Sequence, residues 1–260
     1  MKAIPGGTAT NDQIDSPKIA VVLRGGMLPQ ASVYPADMRA TRDLLRRRMQ
    51  LMRKRAELLA HLQHTHRQYH LPAIGKQLAY QANRDGVAER FPDPAVQKSM
   101  EVDLALINHD DRLLTDLELS SVQTAKEHEA PTFSRLRSSP GVGTILALVL
   151  RYEIHALRRF PRGQEFVSSG RLVKGAQASA GKRSGTSGKT IGNAYLTWAF
   201  SEAAVLFLRN HPVGQQDRAR LEKRHGKGNA FTVLAHQLAH AVDDMLTRDP
   251  AFDLDTCLHA

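Results

Sequence analysis

The sequence predicts a mainly α-helical protein, and three patterns in its 260 residues indicate this fold class. Between residues 45 and 59, apolar side chains recur at alternating steps of four and three. A leucine stripe follows between residues 106 and 117. Near the end of the chain, residues 193–209 and 231–246 read as amphipathic helices. No internal repeat is present, so the expected architecture is a set of packed helices.

Composition indicates the kind of partner. Lys and Arg number 36 against 26 Asp and Glu, a formal charge of +10 that favours binding to a polyanion. No apolar run approaches the ~20 residues that span a bilayer, so membrane insertion is not expected. Cys257 is the only cysteine, which excludes an internal disulfide and is typical of a reducing cytoplasm. We therefore expect a soluble, cytoplasmic protein that binds nucleic acid.

The first long helix is strongly basic. Its expected apolar seam contains five residues, Leu45, Met49, Met52, Ala56 and Leu59. Around that seam, eight cations accompany one acid, Asp43. Such a face is either simply solvated or contacts phosphate, and three of its arginines are candidate nucleic-acid ligands: Arg46, Arg47 and Arg48.

The second long helix is acidic. Leu106, Leu113 and Leu117 form its expected apolar stripe, and the acids Asp103, Asp110, Asp111, Asp116 and Glu118 are expected outside it. A basic and an acidic helix joined by a loop predict a long antiparallel hairpin or coiled coil over residues 36–128.

Residues 139–150, with the sequence SPGVGTILALVL, have the form of a helix-hairpin-helix turn. Gly141 and Gly143 allow a tight turn, after which the N-terminal amides of the next helix can face a phosphate. The alternative is an ordinary loop that enters a buried helix. In so basic a chain we favour contact with the nucleic-acid backbone.

Residues 171–196 combine three serines with glycines and basic residues. Ser179, Ser184 and Ser187 lie among the cations Lys174, Lys182, Arg183 and Lys189. Glycine lets a backbone approach a bulky ligand, and amides beside cations favour phosphate. A hydroxyl held there could attack a phosphodiester, whereas the alternative is a flexible basic loop that only neutralises nucleic acid. A nucleotide-hydrolysing P-loop is disfavoured because its first glycine would fall at Arg183.

Two acids near the start could hold a divalent cation. Asp12 and Asp15 are three residues apart, so a helix would place both carboxylates on one face. They could equally serve as a cap, and Pro17 suits a helix whose N-cap is Ser16, which would leave both aspartates before the helix. Histidine pairs at residues 61–70 and at 236 and 240 have zinc-like spacing without supporting cysteines.

In this order, the segments resemble the DEDD transposases of the insertion-sequence 110/116/902 family, which are bridge-RNA-guided DNA recombinases. TNDQIDSPKIAVVLRGGMLP resembles the segment with the last two metal-binding acids of a RuvC-like domain. Residues 136–160, the serine-glycine loop and residues 191–205 resemble the transposase domain. The resemblance implies that Asp12 and Asp15 are the third and fourth acids of a Mg²⁺ site. It implies Ser179 as the nucleophile, because Ser179-Ala180-Gly181-Lys182 begins 14 residues before Asn193. Ser187 is the competing candidate.

The resemblance also implies an organisation and a function. The expected domains are a RuvC-like remnant (1–35), the coiled-coil hairpin (36–128), a transposase domain with the helix-hairpin-helix and serine loop (129–212), and a C-terminal helix and tail (213–260). The implied activity is insertion-sequence transposition, with DNA and a bridge RNA as partners and a homo-oligomer as the working form. Only 11 residues precede Asp12, so two of the four acids are absent. We therefore expect a truncated, inactive copy; the alternative is a non-catalytic remnant that binds DNA or RNA.

Overall fold

The computed structural model describes residues 12–27, 33–72, 75–128, 130–172, 175–179, 182–187 and 192–248. These residues are mainly helical, which confirms the predicted fold class. The chain divides into two compact units, Met1–Tyr34 and Pro35–Ala260. In the first unit the structure describes one helix, α1 (Asp12–Arg24).

The second unit contains the remaining elements. Four short 3₁₀ turns occur in its loops, at Gly75–Ala79, Gln81–Asn83, Ala88–Arg90 and Leu157–Arg159. Its helices are α2 (Ala36–Gln68), α3 (Pro94–His128), α4 (Ala130–Ser138), α5 (Thr144–Ile154), α6 (Gly163–Ser169), α7 (Ala194–Asn210), α8 (Pro212–His225) and α9 (Lys227–Arg248). Between α6 and α7, strands β1 (Gly175–Ser179) and β2 (Lys182–Ser187) form an antiparallel pair.

Helices α2 and α3 form the predicted antiparallel hairpin. Three ion pairs connect them: Arg48 to Glu118 at 2.6 Å, Arg55 to Asp111 at 2.5 Å, and His61 to Asp103 at 2.5 Å. Each step toward later residues of α2 is a step toward earlier residues of α3, as antiparallel helices require. The basic helix and the acidic helix therefore pair through opposite charges.

The predicted apolar seam of α2 is wrong at Met52 and Ala56. Met52 and Ala56 are exposed, whereas Leu62 is fully buried. The side chains of Arg48 and Arg55 occupy the contact face instead, with exposed fractions of 13% and 14%. Charged side chains can lie in this contact because each one meets a carboxylate of α3.

The predicted stripe of α3 is also wrong. Leu106 and Leu113 are exposed and Leu117 is half-buried, whereas Ala125 and three residues at steps of seven, Met100, Ile107 and Leu114, are buried. The acids predicted outside the contact include three that lie within it: Asp103, Asp111 and Glu118. The basic partners of these acids, Arg48, Arg55 and His61, determine which side of α3 is buried. No pattern within α3 itself reveals them.

Asp111 is the centre of this polar contact. Its two carboxylate oxygens meet Arg55 at 2.5 Å and Arg84 at 2.7 Å. Arg84 is almost fully buried, with 2% of its side chain exposed, and it also donates to the carbonyl oxygens of Leu78 and Ala79 and to Oδ1 of Asn108. The loop between α2 and α3 is thereby fixed to both helices.

Helices α4 to α9 form a second core. Almost every residue of α5 from Leu146 to Ile154 is buried, because α4, α7 and α2 pack around it. Phe200 and Phe207 of α7 are buried among these helices. Helix α8 was not predicted, since Leu221 is its only buried apolar side chain among many charged ones. In the described part of the chain, no helix has the length and apolarity to cross a membrane.

Candidate functional site at the base of the serine hairpin

A short turn connects α4 and α5 at the position predicted for the helix-hairpin-helix. It runs from Ser139 to Gly143, and Gly141 adopts a φ of +79°. A Cβ at Gly141 would lie 2.2 Å from the carbonyl oxygen of Ala203 and 2.8 Å from the amide nitrogen of Phe207. Gly141 therefore faces the backbone of α7, and its predicted phosphate contact does not fit this placement. A residue without a side chain is therefore required at position 141 for the turn to pack against α7.

Gly143 has a different environment. It is the N-cap of α5, no side chain caps the helix, and a Cβ at Gly143 would meet nothing within 4 Å. Beside it, Ile145 and Trp198 line an open cavity of about 430 Å³, which Arg53 also borders. The first amides of α5 thus lie near open space and a cation, so the predicted phosphate contact at Gly143 remains compatible with the structure.

The serine-rich segment leaves and re-enters the fold at one point. The amide of Asn193 donates to the carbonyl oxygen of Ser169 at 2.7 Å, and Oγ1 of Thr197 donates to that of Gly170 at 2.7 Å. Gly192 has a φ of +117°, and a Cβ there would lie 2.6 Å from the Ser169 oxygen. We call this junction of α6 and α7 the hairpin base. It fixes both ends of the segment to buried helices.

Asn193 stabilises the hairpin base in two ways. Its Oδ1 caps α7 by accepting from the amides of Tyr195 at 2.9 Å and Leu196 at 3.3 Å. Its Nδ2 donates to Oε2 of Glu153 at 2.7 Å. The asparagine therefore connects the end of the serine segment to α5.

Glu153 also binds Arg46. Its side chain is 4% exposed, and it accepts from Nε and Nη2 of Arg46 at 2.7 and 2.8 Å. The guanidinium lies 4.5 Å from the ring centroid of Tyr195. Hydrogen bonding to Glu153 raises the pKa of Arg46 although burial opposes this, so the guanidinium stays charged. Sequence reasoning missed Glu153; the available signal was a single acid in the otherwise apolar end of α5.

The serine segment forms a β-hairpin where a loop was predicted. Ser179 ends β1 and pairs with Lys182, and Ser184 is the extra residue of a bulge in β2 because Ala178 pairs with Arg183 and Gln177 with Gly185. Glycine, alanine and serine dominate both strands, and these small residues give no strand signal. The structure describes the backbone of Ser179, Lys182 and Arg183, whereas the predicted ligands Lys174 and Lys189 lie outside the described residues.

The predicted arginine ligands of α2 divide into two groups. Arg46 and Arg48 form the internal ion pairs with Glu153 and Glu118. Arg47 is exposed, and its Nη1 donates to Oε1 of Gln50 at 3.3 Å. Phosphate binding by Arg46 and Arg48 would compete with carboxylates that already satisfy them, so Arg47 is the member of this trio that the structure leaves accessible.

Asp12 and Asp15 lie in the first turn of α1. Ser16 is not the predicted N-cap: the helix begins at Asp12 and continues through Pro17, and Oγ of Ser16 donates to the carbonyl oxygen of Asp12 at 2.5 Å. Two carboxylates three residues apart fit part of a Mg²⁺ coordination shell, which waters or substrate phosphates usually complete. Among the described residues, no group of three metal-ligating side chains comes together.

The histidines with zinc-like spacing have other partners. His61 pairs with Asp103, and Nδ1 of His66 lies 2.9 Å from the carbonyl oxygen of Leu62. The rings of His236 and His240 lie 4.6 Å apart. Burial lowers the pKa of both His66 and His236, which favours their neutral forms. His61 and His66 therefore have partners within the fold.

The geometry of Asn193 gives a testable expectation. An Asn193→Ala change removes the cap of α7 and one hydrogen bond of Glu153, so we expect a loss of about 1–2 kcal/mol in the free energy of unfolding. Urea denaturation would measure it. Asn229→Ala is the matched control, because exposed Asn229 bonds only locally to His225, and it should change stability by less than about 0.5 kcal/mol. Equal effects of the two changes would contradict the role of Asn193.

Part of the chain is similar to a known protein family. Residues 133–219 match the family model described as the transposase IS116/IS110/IS902 family. The match includes α5, the hairpin base, both strands and Asn193. No curated protein matches the sequence.

Proposed function

We propose, from the match of residues 133–219 to the transposase IS116/IS110/IS902 family, that the chain cuts and rejoins insertion-sequence DNA through the hydroxyl of Ser179. The observation that carries the proposal is the hairpin base. It holds the serine segment by one backbone and one side-chain hydrogen bond between the end of α6 and the start of α7, and by the contact of Asn193 with Glu153. A reactive group needs such a rigid support.

The position of Ser179 suits a nucleophile. It is the last residue of β1 and stands opposite Lys182, beside Arg183 in β2. The end of a two-stranded hairpin can approach a phosphodiester more closely than a buried helix can. Adjacent basic residues favour the negative charge that develops on the phosphoryl oxygens.

The proposed step is a transesterification. Oγ of Ser179 loses its proton and bonds to phosphorus, the bond from phosphorus to one sugar oxygen breaks, and that oxygen leaves as a hydroxyl after protonation. Attack by a sugar hydroxyl from a second DNA end reverses the step and releases the serine. Asp12 and Asp15 are proposed as two ligands of a Mg²⁺ ion, whose contribution to the reaction would be charge neutralisation. We extend the proposal to a bridge RNA and a homo-oligomer as partners.

A covalent adduct tests the assignment. The full chain would be incubated with Mg²⁺, labelled DNA from both flanks of its own gene and RNA transcribed from those flanks, then separated on a denaturing gel. We expect a protein–DNA adduct that Ser179→Ala abolishes and Ser187→Ala preserves. Loss in Ser187→Ala alone would transfer the role to Ser187. If the unmodified chain forms no adduct, the catalytic proposal fails.

The second candidate is binding of DNA or RNA without catalysis, which is the function expected if the chain is the truncated, inactive copy inferred from the sequence. The net charge of +10 and the accessible α5 N-terminus favour it, and the resemblance identifies only two of four metal-binding acids in this sequence. This candidate predicts salt-sensitive binding with no adduct under any of the conditions above.

A further inference from the structure

A second cleft lies at the other end of α6. It has a volume of about 640 Å³ and is bordered by the end of α5, the loop to α6, α4 and the end of α9. Arginines from all four of these elements line it. They are Arg135, Arg151, Arg158, Arg162 and Arg248, and we call this site the arginine cleft.

The acids of the arginine cleft do not balance these charges. Asp243 and Asp244 also line it, and Asp244 pairs with Arg248 at 3.4 Å. A Cβ at Gly163 would lie 2.3 Å from Oδ2 of Asp243, so that carboxylate packs against the first residue of α6. Burial, and then the neighbouring Asp244, raise the pKa of Asp243. Five cations therefore face at most two anions.

His155 also lines the arginine cleft. It follows α5 with a φ of +59°, and its carbonyl oxygen accepts from Nη1 of Arg151 at 2.7 Å. Burial lowers the pKa of its imidazole, and the charges of Arg151, Arg159 and Arg158 lower it further, against a smaller opposite effect of Asp37. The nearby arginines thus add to burial in disfavouring the protonated form of His155.

Two arginines of the cleft are available to a ligand. Arg158 and Arg162 are exposed, and within the described ranges neither forms an ion pair. Their loop is anchored, because the ring of Phe160 lies 5.6 Å from that of Phe166 and Arg159 lies over Phe160. A fixed loop with planar guanidinium groups is suited to phosphate oxygens.

We propose that the arginine cleft binds the phosphodiester backbone of a nucleic-acid strand. Helix α6 leads from Gly163 at the cleft to Ser169 at the hairpin base, a length of roughly 10 Å. A strand bound in the cleft therefore lies close to the origin of the serine hairpin. The inference rests on the proposed function for the identity of the ligand, but it does not require that Ser179 react.

Cations from four elements indicate a strand rather than a free nucleotide. A nucleotide pocket needs a surface on which the base can stack and polar groups for its edge. Phe160 is the only aromatic ring in the described lining besides the imidazole of His155, and Arg159 covers it. Repeated phosphates along a strand can instead meet several arginines at once.

Salt-dependent binding tests the cleft. The full chain and its Arg158→Gln/Arg162→Gln variant would be titrated with a fluorescent single-stranded DNA of about 20 nucleotides, at roughly 50 to 200 mM salt. Loss of two phosphate contacts should reduce the slope of log K against log salt by about 1.4 and weaken binding by at least about fivefold at low salt. Lys223→Gln/Arg224→Gln is the control, because it removes two exposed charges from α8, away from the cleft lining.

Three outcomes would overturn the proposal. The cleft variant could keep the slope of the unmodified chain, it could change no more than the control, or a mononucleotide could displace the strand at micromolar concentration, which would indicate a nucleotide pocket. Ser179→Ala should bind the strand as the unmodified chain does. A failed adduct experiment therefore leaves this inference intact, and a failed binding experiment leaves the nucleophile assignment intact.

Discussion

A Gly141→Ala change is expected to lower the free energy of unfolding by about 3–5 kcal/mol. Two effects add. An alanine at a φ of +79° is strained by about 1–2 kcal/mol. Its methyl group would also lie 2.2 Å from the carbonyl oxygen of Ala203, in a backbone that cannot move away without separating α7 from the turn. Chemical denaturation followed by circular dichroism would measure the loss.

Gly143→Ala provides the matched control two residues away. Its φ of −79° is open to alanine, and the added methyl would meet nothing within 4 Å. We expect a change of less than about 1 kcal/mol. A destabilised Gly143→Ala protein beside an unchanged Gly141→Ala protein would mean that the turn does not pack on α7 as described.

An Asp111→Ala change should cost about 3–5 kcal/mol, because it leaves Arg55 and the buried Arg84 without their shared carboxylate. Arg84 keeps its bonds to the carbonyl oxygens of Leu78 and Ala79, but its charge is no longer compensated. If α2 and α3 moved apart in this variant, water could reach Arg84 and the loss in the free energy of unfolding would be smaller. Thermal melting and urea denaturation would both detect the loss.

Exposed Asp116 offers the comparison on the same helix. Asp116→Ala removes an equal charge from the other side of α3 and should change stability by less than about 0.5 kcal/mol. Asp111→Asn should fall between the two, since it keeps the shape of the side chain but loses the charge. Equal stabilities of the Asp111→Ala and Asp116→Ala proteins would show that the ion pairs contribute nothing net.

Sequence periodicity was sufficient for the long helices and for their pairing. Apolar spacing predicted α2, α3, α7 and α9, and opposite overall charge predicted that α2 and α3 associate. The turn before α5 was predicted from its two glycines, because glycine admits the positive φ that a tight turn requires. Each of these signals is contained within one segment.

Contacts between distant segments could not be predicted in this way. Leu106 and Leu113 form an apolar stripe in the sequence. The partners of Asp111 and Glu118 nevertheless lie against a different side of α3, and that side is buried. In the candidate site, Ser179 and its spacing to Asn193 were accessible through the family resemblance. Glu153 was not, because its partners Arg46 and Asn193 are 107 and 40 residues away.

The closed hairpin base has a consequence for how such chains can diverge. Because Ser169 and Asn193 are hydrogen-bonded, the two ends of the segment between them lie next to each other, as in a closed loop. Doubling the length of such a loop adds only about 0.6 kcal/mol to the entropic cost of closing it. The serine segment can therefore change in length and sequence while the helices that hold its two ends keep their packing.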